Sequence, residues 1–130
     1  MSLSITAVYT AVFAILIVPM SLQITLRRIA LGNLALGDGK DEELIRKRET
    51  LRNFCEYVPL GLILLAVYES TFGSIISVIV FGGMFLFSRI LHIIGLQHFV
   101  SPKYFGVAMV VQHTYFILAS GMLIYDIRLK

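Results

Sequence analysis

Between Glu56 and Glu69 the chain places 12 uncharged residues, and that gap sets the tightest limit on how it folds. At about 1.5 Å rise per residue, such a stretch gives roughly 18 Å of α-helix, against a hydrocarbon core of about 30 Å. A helix crossing a bilayer here must take in the turns that hold Asn53 and Glu56, so a carboxamide and a carboxylate lie below the headgroups. Such groups are costly in lipid and turn toward a protein interior, where a partner satisfies them.

Composition says that lipid is the solvent. Of 130 residues, 58% are hydrophobic and 15% charged, and the mean hydropathy is +0.86; a soluble domain of this length carries far more charge. One transmembrane domain over residues 1–130 is the natural reading. The net charge of +3 would suggest nucleic acid in a soluble protein. Here the basic residues flank apolar runs, where membrane topology accounts for them, and no nucleic-acid partner is expected. The single cysteine, Cys55, allows no internal disulfide and reads as a small apolar filler. No Lys or Arg precedes the first apolar run, which reads as a retained span.

Four helices follow in order. Leu3 to Leu26 is uncharged for 24 residues and is closed by Arg27-Arg28, with Pro19 as a possible kink, giving a first helix over about 3–28. A Gly-rich loop from Ile29 to Gly39 precedes Asp41, a cap for a second helix over about 41–70 whose Glu42 and Glu43 complement the helix dipole. A short turn around Glu69 to Gly73 leads into a third helix over about 72–98, in which Gly82-Gly83 allows close helix contact. Ser101-Pro102 marks the last loop, and Tyr104 to Tyr125 is uncharged for 22 residues within a fourth helix over about 103–127. The expected fold is an all-α integral membrane four-helix bundle.

The basic residues orient it. The first loop and its flanks carry Arg27, Arg28, Lys40, Arg46, Lys47, Arg48 and Arg52, and the third loop adds Lys103, whereas the opposite side has Arg128 and Lys130. This asymmetry puts the first and third loops in the cytoplasm and both termini outside.

Helical spacing groups the intramembrane polar residues. Arg52, Asn53 and Glu56 share one face of the second helix, and Arg89 and His92 one face of the third. Because the connecting turn is short, Glu56 and Arg89 come to similar depth, and an ion pair between them is the first structural expectation. The functional reading is a pocket that offers a carboxylate, an amide, a guanidinium and an imidazole to a charged ligand. The alternative is a structural network that locks the helices together. Tyr57 borders this pocket. His113 reads as a hydrogen-bonded structural residue and His98 as interfacial. His92 and His98 lack the i, i+4 spacing of a helical metal site, so no metal is expected. The Phe and Tyr residues read mostly as lipid-facing or interfacial filler.

With these residues in place, the chain resembles the membrane-associated proteins in eicosanoid and glutathione metabolism, the MAPEG family, in its bacterial-type form. The resemblance rests on Gly37-Asp38-Gly39, Arg46, the run Asn53-Phe54-Cys55-Glu56-Tyr57-Val58-Pro59, and Ser88-Arg89-Ile90-Leu91-His92-Ile93-Ile94-Gly95. It implies a homotrimer, a bacterial inner membrane, and glutathione held in cytoplasmic-side clefts between neighbouring subunits. By motif position Arg52, Asn53, Glu56, Arg89 and His92 would bind that cofactor or support its site, with Arg52 reaching a glutathione carboxylate. In the family's enzymes an arginine stabilises the thiolate, the nucleophile toward an apolar electrophile, and here the nearest basic residue is a lysine. Lys103 is the candidate for that role. The chain departs from many relatives at Glu49 and Leu51, where they carry an arginine and a histidine, and at Leu96, where the eicosanoid enzymes have a tyrosine.

Three functions are therefore expected in turn. The first is a glutathione-dependent transferase or peroxidase that takes a hydrophobic small-molecule substrate from the membrane lipids. The second, favoured by the departures, is a non-catalytic protein of the same fold that binds lipid or an anion or serves assembly. A small transporter using Glu56 is the third, and the pairing expected for Glu56 argues against it.

Overall fold

The computed structural model describes residues 3–32, 36–37, 39–71, 74–97 and 102–128. It contains four helices, α1 (Ser4–Ala30), α2 (Glu42–Thr71), α3 (Ile75–Gln97) and α4 (Pro102–Arg128), and no strand among the described residues. Each helix is long and apolar enough to cross a membrane. At 30 residues, α2 is roughly 45 Å long, so its charged first turns rise out of the hydrocarbon. Both Pro19 and Pro59 lie inside continuous α-helix. Asp38, His98 and parts of the expected second and third loops fall outside the described residues.

One helix is capped by its own flanking residue and another by a side chain from across the bundle. Asp41 caps α2 by accepting the Leu44 backbone N–H at 2.8 Å, as its position before Glu42-Glu43 leads one to expect. Helix α1 has no cap of its own. Instead, the Glu69 carboxylate at the far end of α2 accepts the backbone N–H groups of Ile5 and Thr6 at 3.0 and 2.8 Å, which answers the orphan donors and the positive end of the α1 dipole together.

Helices α2 and α3 form the middle of the bundle, with α1 and α4 on its flanks; no Cα atoms of α1 and α4 approach within 8 Å among the described residues. Phe85 of α3 sits where the layers meet. Its ring centroid lies 5.4 Å from that of Phe13 on α1 and 4.7 Å from that of Tyr115 on α4, the latter stacked. Gly61 of α2 makes room for it: a Cβ there would stand 2.3 Å from the Phe85 ring. The Tyr115 hydroxyl donates to the Gly61 carbonyl at 2.7 Å, joining α4 to α2. The Gly82-Gly83 pair also serves close contact, since the Tyr9 ring of α1 packs on Gly82.

This corrects the expectation for the aromatic residues. Phe13, Phe54, Tyr68, Phe81, Phe85 and Tyr115 are all buried and form the core, while Phe87, Tyr104, Phe105 and Tyr125 are the large rings that face outward. Thin helices separated by glycine contacts leave gaps that only large planar side chains fill. The apolar periphery is aliphatic, with Ile15, Val18, Ile76, Val80, Val110 and Ile117 all exposed.

Candidate functional site

At the basic end of the bundle, an ionic clamp fixes α1 against α2. Arg27 grips Asp41 through two hydrogen bonds, Nε to Oδ1 at 3.1 Å and Nη2 to Oδ2 at 2.8 Å, and reaches Glu43 at 3.2 Å. The Arg27 guanidinium and then the Leu44 N–H hold the Asp41 carboxyl down at about 2. Arg28 has no such partner: its Nε is buried without a hydrogen bond. The adjacent arginines therefore do different work, Arg27 closing the loop and Arg28 facing a cavity.

That cavity, about 520 Å³, lies between α1 and α2 and is lined by Arg28, Arg48 and Arg52 together with Ser21, Thr25 and Glu49. Cys55 stands at its floor and also lines the next space, an apolar groove of about 330 Å³ bounded by Phe13, Ile17, Phe54 and Val58. Thr10, Ala14 and Leu62 connect this groove to another of about 600 Å³ that continues toward Leu3. The cationic pocket and the two apolar grooves thus follow one another along the α1–α2 side of the molecule.

The expected polar constellation is present but divided. Arg89 and His92 are 1% and 2% exposed, inside the bundle. Arg89 Nη1 donates to Asn53 Oδ1 at 2.7 Å, and its guanidinium carbon lies 5.7 Å from the centre of the Tyr57 ring. The His92 ring packs against Phe105 at 5.1 Å. Glu56 does not join them. Its side chain is 57% exposed, and its cation is Arg52, one turn back on the same helix at 3.7 Å, which also holds Glu49 at 2.5 Å.

The expected Glu56–Arg89 ion pair is therefore replaced by Asn53–Arg89. At 100° per residue, Glu56 is rotated about 60° from Asn53 around α2. That is enough to send Asn53 toward α3 and Glu56 outward. Lys103 is exposed on the first turn of α4. His113 behaves as a structural residue, its Nδ1 lying 2.7 Å from the Met109 carbonyl of its own helix. Among the described residues, no three His, Cys, Asp or Glu side chains gather as a metal site.

Two participants were overlooked in the sequence. Gln112 is completely buried on α4, and an amide in an otherwise apolar run was the signal for it. Arg28 looked like a topological flank; nothing in the sequence separates its role from that of Arg27.

Four membrane-length helices around a buried guanidinium–amide cluster, with a cationic cavity at one end, define an integral multi-pass membrane bundle. The chain belongs to the MAPEG family, whose model matches residues 6–125. No curated protein and no solved structure matches it.

Proposed function

We propose that this protein binds glutathione at its cationic end and works as a membrane glutathione transferase or peroxidase on apolar electrophiles. The observation that carries this reading is the adjacency of the Arg28–Arg48–Arg52 cavity, through Cys55, to the apolar grooves beside Phe13 and Leu62. Glutathione bears two carboxylates and one ammonium group. Three guanidiniums with Glu49 and Glu56 nearby complement that pattern. A hydrophobic co-substrate enters the adjoining groove from the lipid and meets the thiol at the junction near Cys55. Arg52 and Arg28 hold the carboxylates, and the Asn53–Arg89 contact holds α2 against α3 behind the site. His92 stays behind it as support. Lys103 is the candidate cation for the thiolate and, because α4 lies across the bundle from the α1–α2 cavity, would come from a neighbouring copy. The thiolate attacks an electrophilic carbon, and the sulfur–carbon bond forms as the leaving group departs with its electron pair.

Assembly belongs to the same proposal. Ile45, Glu49, Arg52, Glu56, Leu60, Ile63 and Val67 form one narrow outward stripe on α2. Charged groups at membrane depth need protein cover, and a second copy supplies complementary charge from its own stripe. This supports the homotrimer that the family resemblance implies, with sites between copies and the first and third loops in the cytoplasm.

The test is direct. Glutathione should raise the melting temperature of the detergent-purified protein, because a ligand of the native state stabilises it. Arg28→Ala and Arg52→Ala should each weaken that shift, and conjugation should appear over a panel of apolar electrophiles. Stabilisation without turnover would favour the non-catalytic reading suggested by Glu49, Leu51 and Leu96. No stabilisation at all would overturn glutathione binding.

A further inference from the structure

Behind the cavity, enclosed by α2, α3 and α4, the positive charge of Arg89 goes unanswered. A guanidinium does not shed its proton in a protein. Its one hydrogen bond goes to the neutral Asn53 oxygen, and Nε and Nη2 have no partner. Of the described carboxylates, Asp41 and Glu43 pair with Arg27, Glu42 with Arg46, and Glu49 and Glu56 with Arg52, while Glu69 caps the start of α1 and Asp126 stands near the C-terminal end of α4.

The surroundings hold further buried polar atoms without partners. Gln112 is fully buried with neither amide atom bonded, and His92 Nε2 is buried without a partner as well. The Phe85–Tyr115 and Gly95–Phe105 contacts set the antiparallel register of α3 and α4, which brings Gln112 level with Ser88 and Arg89. The Tyr57 and Phe85 rings close over the guanidinium at 5.7 and 6.0 Å, shielding it from lipid without supplying a negative charge.

We propose that Arg89, Gln112 and His92 form an internal binding site for a small monovalent anion of the halide class. Such an ion neutralises the buried charge and accepts from Arg89 Nε and Nη2 and from the Gln112 amide. Arg89, Gln112 and His92 are all buried, which suits a small ion better than a large organic one. The site is separate from the cationic cavity, so it stands whether or not glutathione binds there.

The experiment compares thermal melting of the intact protein in chloride, bromide and gluconate at equal ionic strength. The wild type should melt several degrees higher in either halide than in gluconate, and crystals grown in bromide should show anomalous density within hydrogen-bond distance of Arg89. Asn53→Asp sets a carboxylate where Nη1 already donates. It should remove the halide dependence while keeping the fold. Arg28→Ala should keep the full halide shift, because the outer cavity is not its origin. A wild type that melts equally in all three salts overturns the proposal. So does a halide shift of undiminished size in Asn53→Asp, or one lost in Arg28→Ala.

Discussion

Asn53 and Glu56 stand three residues apart on α2 and live in different solvents. Asn53 turns inward and accepts from a fully enclosed arginine, while Glu56 turns outward and shares Arg52 with Glu49 on an exposed face. In the interior, a polar contact has no water or lipid headgroup to replace it, so it fixes how α2 and α3 sit. On the outer face, the same kinds of groups are held only by neighbours on their own helix. They remain available to a ligand or a second copy. One turn of helix thus divides the polar residues, with the inner ones joining α2 to α3 and the outer ones left on the surface.

Removing an inner group should do the most damage. Arg89→Ala strips Asn53 of its donor and opens a cavity against Tyr57 and Phe85, an expected loss of about 3 kcal/mol in denaturant unfolding from detergent. A loss below about 0.5 kcal/mol would mean that the inner cluster does not hold the helices. Next comes the contrast between Gly61 and Ile117. Gly61→Ala drives a methyl into the Phe85 ring and should cost about 2 kcal/mol, whereas Ile117→Ala on the exposed face of α4 should leave melting nearly unchanged. Equal effects from the two would erase the distinction between the faces.

The ionic clamp at the loop offers a titration. Arg27 and the Leu44 N–H lower the Asp41 carboxyl from 3.8 to about 2, so its contribution to stability is complete above its ordinary value and is lost as pH falls through the lowered one. Asp41→Asn should flatten the melting curve against pH in that window and leave the slope near neutrality alone. The smallest effect on folding is expected from Glu56→Gln, within about 0.5 kcal/mol of the parent, with weaker self-association measured by ultracentrifugation in detergent. A large loss of monomer stability there would place Glu56 inside the fold after all.

The four spans were legible because a lipid-facing helix announces itself through length and the absence of charge. Asp41 could be recognised as a cap because capping is local. The division of the polar site could not be foreseen in the same way. Spacing showed that Arg52, Asn53 and Glu56 share a region of α2, but a rotation of about 60° decides which of them meets α3. The partner of Arg89 therefore depended on how two helices roll against each other. The same holds for the aromatic residues, whose hydropathy suits lipid and core equally well.

Residue order alone settles the number of membrane helices, their approximate limits and the depth of the polar residues, since each follows from one segment's free energy in water against lipid. Whether a given arginine closes a loop, lines a cavity or is sealed among rings is a different kind of question. Arg27, Arg28 and Arg89 carry the same side chain and the same charge. Packing of neighbouring helices separates their roles, because burial and partner choice are properties of the space between elements and are not written in any one of them.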